Sequence, residues 1–229
     1  ATISGSMVTI VGAGIATITV VQTSTEIYGL GSITAPLTVN RATPVLIDFS
    51  VPSKTFGDVS FNLVAPTSNS DGDFIYTSSD TTVATIAGNV VTIVGVGTST
   101  ITAVQAGDTN YISGSITTDL VVTQGTLVLT NFSVPVKSLG NADFSLVPPT
   151  TISTGLITYT SSDEAVATIV GSTVTIVGIG SSTITASQAS TVNLTSATIT
   201  ATLTVLPAPT MTDFSVPVKT VLDTSFNLV

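Results

Sequence analysis

The 229-residue sequence contains no cysteine, no histidine and no tryptophan, and only four of its residues are basic. Without cysteine, neither disulfides nor thiolate metal centres support the fold. Without histidine or cysteine, and with no carboxylate pair recurring at an acid–base spacing, the chain offers no set of groups for proton-transfer or nucleophilic chemistry. No catalytic, cofactor-binding or metal site is therefore assigned, no cofactor is expected, and the chain reads as no enzyme. A net charge of −9 excludes the clustered Lys and Arg that neutralise nucleic-acid phosphates, and it opposes docking on anionic lipid. Every apolar run is cut by Thr, Ser or Gly far short of the ~20 residues of a membrane-spanning helix, so no membrane insertion is expected. Aromatic residues, 5% of the chain, show no paired girdles of the kind a transmembrane barrel carries.

Charged residues make up 7% of the chain, against about 25% in an ordinary soluble domain. Ser and Thr take the outward positions instead, and the sequence repeats itself. Ala1-Thr2-Ile3, Ala84-Thr85-Ile86 and Ala167-Thr168-Ile169 are spaced 83 residues apart, and the stretch Val83 to Gln105 returns almost letter for letter as Val166 to Gln188. A second marker, Phe-Ser-Val-Pro, begins at Phe49, Phe132 and Phe214. Eight residues separate Val122 from Asn131, but seven separate Val205 from Asp213, and such length variation between fixed flanks marks a linker. The frame that follows is the rear of one repeat in residues 1–43, complete repeats at 44–124 and 125–206, and the front of a further repeat in 207–229. Opening and closing inside a repeat predicts a segment of a longer repetitive polypeptide, and a native mass of 23 kDa, that of this chain, would contradict this.

Within one repeat, Val45 to Phe49 reads as a first edge strand, split or kinked at Pro52, which cannot donate to a ladder. Lys54, Lys137 and Lys219 recur just beyond it, and lysine on an edge guards against edge-to-edge aggregation. The sharper alternative is an intramolecular isopeptide cross-link, which needs an Asn or Asp and a buried acid in each repeat; Asp80 and Asp163 qualify as acids, but no Asn recurs in the last strand. Phe61 and Leu63 share one face of the next strand, Val59 to Val64. Phe74 to Ser78 follows, with Tyr76 matched by Tyr159 at a central position. Ser78-Ser79-Asp80 turns the chain, since Asp and Ser side chains bond local amides. Asp71, Asp73 and Asp80 form a conceivable calcium set, yet Thr154-Gly155-Leu156 replaces Asp71-Gly72-Asp73 in the next copy, which favours the turn role.

Ala84 to Ile86 and Val90 to Val94 make a hairpin around Gly88-Asn89. Val91 and Ile93 are unchanged in all copies and face inward, whereas position 90 is Met7 or Thr173 elsewhere and faces outward. Gly95-Val96-Gly97 does not lead into a helix, as a phosphate-binding loop must; it reads as a corner where the chain crosses between sheets. Strands over Ser99 to Ala103 and Ser115 to Thr123 complete seven short strands with no helical period. The fold class is all-β: tandem immunoglobulin-like β-sandwich domains of about 83 residues in an extended rod.

The run Tyr76-Thr77-Ser78-Ser79-Asp80, then Val83-Ala84-Thr85-Ile86, then Val91 through Gly95 and Gly97 to Ala103 resembles the bacterial immunoglobulin-like repeats of the intimin and invasin type (group 2). Two features depart from that family's pattern: Tyr76 and Tyr159 stand where it often carries Trp, and the Phe-Ser-Val-Pro-x-Lys segment has no assigned counterpart in it. The resemblance implies a surface-exposed stalk or adhesin without enzymatic activity, on a cell or virion surface, since such repeats also occur in phage and viral fibres.

The function expected is a structural spacer, each repeat adding on the order of 30 Å for strands of six to nine residues. Its expected partners are neighbouring repeats of the same polypeptide and, in a fibre, other copies of itself. A self-assembling filament protomer and a glycan- or protein-binding module are the alternatives. Asn131-Phe132-Ser133 and Asn193-Leu194-Thr195 are possible N-glycosylation sites, and exposed Thr residues are possible O-glycan sites.

Overall fold

The computed structural model describes residues 1–210, 216, 218–222 and 225. The chain divides into two units, Ala1–Gly125 and Thr126–Val229. No helix forms among the described residues. In the first unit, residues 1–43 supply β1 (Thr2–Ser4), β2 (Met7–Thr9), β3 (Gly14–Gln22) and β4 (Gly31–Val39). Residues 44–124 supply β5 (Leu46–Ile47), β6 (Lys54–Thr55), β7 (Phe61–Asn62), β8 (Thr67–Ser68), β9 (Phe74–Ser78), β10 (Ala84–Ala87), β11 (Val90–Ile93), β12 (Gly97–Gln105) and β13 (Gly114–Thr123). The second unit holds β14 (Lys137–Ser138), β15 (Phe144–Ser145), β16 (Ile157–Ser161), β17 (Ala167–Val170), β18 (Thr173–Ile176), β19 (Gly180–Gln188) and β20 (Ala197–Leu206).

A sandwich arises because two sheets each present one apolar face. In residues 44–124, one sheet has the order β6-β13-β12-β9 and the other β10-β11-β7, while β5 and β8 pair as a separate two-stranded sheet. Along β12, Ser99, Ile101, Ala103 and Gln105 are buried, while Thr100, Thr102 and Val104 alternate with them on the other face. That period of two sends alternate side chains to opposite faces of the pleat. Val91 of β11 meets Ile101, Ala103, Leu120 and Val122 in one core with Phe49, Leu63, Val83 and Ala84. Each large aliphatic side chain fully buried there contributes about 1.5–3 kcal/mol. Tyr76 closes the core against Phe49, the rings 6.1 Å apart. In the second unit the core is rebuilt from Val174, Ile184, Ala186, Leu203 and Val205 with Phe132 and Leu146, and Phe132 stacks on Tyr159 at 6.0 Å.

The first strand differs from the expected span Val45 to Phe49. Only Leu46–Ile47 pairs, antiparallel to β8, and the chain then crosses to the other sheet, where Lys54–Thr55 runs parallel to the end of β13. Two residues cause the break. Asp48 adopts φ 61°, a left-handed conformation that Asp and Asn tolerate better than other side chains, and Pro52 removes an amide donor. In the second unit Asn131 takes Asp48's place with φ 58°, and the first strand shrinks to a single bridge between Thr130 and Thr150. The turn reading of this Asp/Asn position therefore has a backbone cause. Its third copy, Asp213, lies outside the described residues, as do Phe214, Phe226 and Leu228.

The inter-sheet corner at Gly95-Val96-Gly97 is present as expected, joining β11 of one sheet to β12 of the other. Gly97 has φ 148°, and the equivalent Gly14 and Gly180 have 135° and 139°. A Cβ on Gly97 would also lie 2.8 Å from Val83 Cγ2, so conformation and close approach both demand glycine here.

In residues 1–43 the strands pair only as β1-β2 and β3-β4. Val8 is 42% exposed, whereas its equivalent Val91 is fully buried.

Candidate functional site

Several of the positions weighed for chemistry in the sequence have structural partners. Asp80 accepts hydrogen bonds from the Thr82 amide and hydroxyl at 2.8 and 2.7 Å; the hydroxyl first, then the amide, hold its carboxyl below the usual carboxylate range. Asp163 accepts from the Ala165 amide at 2.9 Å in the same turn. Among the described residues no three His, Cys, Asp or Glu side chains form a group suited to a metal ion. Lys54 places its ammonium 4.6 Å from the centroid of the Phe61 ring, and Lys137 does the same over Phe144. The lysine thus lies on an edge strand, as expected, but it also caps the aromatic ring of the opposite sheet, a contact of about 0.5–1 kcal/mol at an exposed site. Asn131 donates from Nδ2 to Thr150 Oγ1 at 3.2 Å.

Two buried polar positions were missed in the sequence. Gln105 is 1% exposed. Its Oε1 accepts from the Ser68 hydroxyl at 2.6 Å, and its Nε2 donates to the carbonyls of Ser70 and Gly72 at 2.9 and 2.8 Å. Gln188 repeats the arrangement with Thr151, Ser153 and Gly155. This glutamine holds the loop before β9 or β16 against the sheet, and a Cβ on Gly72 or Gly155 would collide with the Ala106 or Ala189 carbonyl. Ser99, fully buried, bonds to the Ser78 hydroxyl at 2.7 Å and accepts from the Asp80 amide at 3.1 Å; Ser182, Ser161 and Asp163 form the same set. The signal for the glutamine was its return at Gln22, Gln105 and Gln188, one per period.

What remains is the loop 106–113 at one end of the complete repeat, together with the stretch of chain just before Pro44. Asp108 organises the loop. Its carboxylate accepts from the Ser70 hydroxyl at 2.7 Å, from the amides of Asn110 and Tyr111 at 2.7 and 2.8 Å, and from the Asp71 amide at 3.2 Å. The Ser70 bond foremost, with the amides and against a desolvation effect, lowers its carboxyl to about 2. The loop so shaped meets residues 1–43. Ala42 forms a parallel bridge to Tyr111, its amide donating to the Asn110 carbonyl at 2.8 Å while its own carbonyl accepts from the Ile112 amide at 2.9 Å. The Arg41 guanidinium donates to the Asp108 carbonyl at 3.4 Å. Asn110 Oδ1 accepts from the Ala13 amide at 2.9 Å, beside Gly12 in the corner between β2 and β3. An open groove of about 270 Å³ lies here, between Val11 and Tyr111. The arrangement joins two lengths of chain.

No family model matches the chain, and no curated protein matches it. Among solved structures, EC1-3 of Drosophila N-cadherin aligns over 78% of this chain and 74% of its own, with 13% identity and a TM-score of 0.29. A SusE-like surface-located polysaccharide-binding protein of Bacteroides thetaiotaomicron aligns over 82% of this chain and 37% of its own, with 14% identity and a TM-score of 0.29. Domains 4 and 5 of the S-layer protein SbsC align over 58% of this chain and 70% of theirs, with 20% identity and a TM-score of 0.28. The chain is all-β, its sheets packed as sandwiches around two cores.

Proposed function

We propose that this chain is a structural spacer, a repeat segment of a long extracellular stalk, adhesin or surface fibre. The observation that carries the reading is the rebuilding of one core, residue for residue, from Ile101, Leu120 and Val91 in the first unit and from Ile184, Leu203 and Val174 in the second. Conserved interiors beneath variable loops suit a module whose product is length, because each core is independent and repeats can be added or lost without unfolding their neighbours. The run from Tyr76 to Ala103 supports kinship with the bacterial immunoglobulin-like repeats of surface proteins, and the low surface charge leaves Asn131, Asn193 and exposed Thr residues as candidate glycan carriers. The role is non-enzymatic.

Negative-stain images of the purified chain test this reading. Elongated particles gaining on the order of 30 Å per repeat are expected, and a compact globule would refute it.

A second reading, a self-assembling filament protomer, draws on β9, an edge strand of its sheet whose Ile75 is 66% exposed. An unguarded edge is a template for pairing with another chain. Light scattering giving one monomer mass at all concentrations would exclude it.

A further inference from the structure

We propose that the loop 106–113 is a lock between a repeat and the chain that precedes it, and that Asn110 is the residue that closes it. The inference deepens the spacer reading and rests on it: a spacer needs joints that resist bending.

A linker tied only at its end leaves the bodies on either side free to swivel about it. The Ala42–Tyr111 bridge ties residues 40–42 to the loop, but that contact lies within the linker itself and leaves rotation of the preceding strands open. The Asn110 bond reaches further. It spans 97 residues of sequence and lands on the Ala13 amide, in the corner between β2 and β3. A second tie at a distance from the first removes the swivel. Gly12 allows the approach: a Cβ there would sit 3.0 Å from Asn110 Oδ1, tighter than an unstrained contact. Asp108 is the support behind Asn110, because its carboxylate holds the Asn110 amide at 2.7 Å and fixes where the side chain starts. The Arg41 bond to the Asp108 carbonyl ties the same loop to the linker from the other side. Corner, linker and loop thus converge on one surface, and its partner is the preceding repeat of the same polypeptide.

The test is amide hydrogen exchange on the whole chain, with ¹⁵N relaxation as a second readout. In the N110A variant the Ala13 amide is expected to exchange about two- to tenfold faster, the range for loss of one ordinary hydrogen bond. The strands β3 and β4 should then tumble with a shorter effective correlation time than β12 and β13. N110D, which keeps an acceptor oxygen at this position, should retain slow Ala13 exchange. Unchanged Ala13 exchange in N110A would overturn the proposal. So would equal acceleration throughout β12 and β13, because Asn110 would then be a fold residue rather than a joint. A compact particle by electron microscopy would defeat the spacer reading alone and leave the Ala13 result to decide the lock.

Discussion

The stretches 44–124 and 125–206 share a core pattern and differ in the loops at one end, and the difference separates what the sandwich requires from what it tolerates. Position 108 is Asp in the first repeat and Thr191 in the second, yet both make the same turn: Tyr111 N binds Asp108 Oδ1, and Leu194 N binds Thr191 Oγ1. Asp71-Gly72-Asp73 likewise becomes Thr154-Gly155-Leu156, in which only the glycine is kept. The glycine is kept because the Ala106 and Ala189 carbonyls leave no room for a Cβ, and the flanking residues vary because they face outward. Any oxygen acceptor of the right reach serves the turn. The buried glutamine, the buried serine and the apolar set are likewise the same in both repeats.

If that division is correct, matched substitutions in the two cores should cost alike, and loop substitutions should not. The largest effect is expected for I101A and I184A, both fully buried. Each should lose about 2–5 kcal/mol from its own repeat in denaturant unfolding, and clearly unequal losses would break the equivalence of the cores. Next come Q105A and Q188A, which leave a hydroxyl and two carbonyls without the partners described above; about 1–3 kcal/mol is expected in each. Hydrogen exchange should show the loops before β9 and β16 opening first, and an unaffected loop would remove the glutamine from its assigned role.

The smallest effect is confined to one repeat. Asp108 has a carboxyl lowered to about 2 by Ser70 and the loop amides, below the roughly 3.9 of an unfolded Asp. A depressed folded value stabilises the native state above the unfolded pKa and loses that contribution as pH falls through the folded one. The loop 106–113 should therefore loosen between about pH 4 and about pH 2. The D108T variant, which installs the residue of the next repeat, should remove that acid sensitivity while keeping the turn, as read by exchange of the Tyr111 amide across the same range. An unchanged acid profile in D108T would show that Asp108 is not its source.

The alternation of Val91 and Ile93 with outward-facing neighbours, the hairpin at Gly88-Asn89 and the sheet crossing at Gly97 were legible in the sequence. So was the turn at Asp80, because its partner is two residues away. The joint was not. Asn110 has no distinguishing local pattern, and its partner lies 97 residues earlier. Lys54 was read as an edge guard because Phe61, the ring beneath it, belongs to the other sheet.

Strand, turn and repeat were thus determined by the sequence alone, since periodicity of two, glycine conformation and Asp or Ser side-chain bonding act over a few residues. Tertiary structure decided which strand of which sheet receives Lys54, what Gln105 grips, and where Asn110 lands. Those contacts depend on two sheets closing over one core, a geometry that sets distant residues side by side and that no local run of side chains encodes.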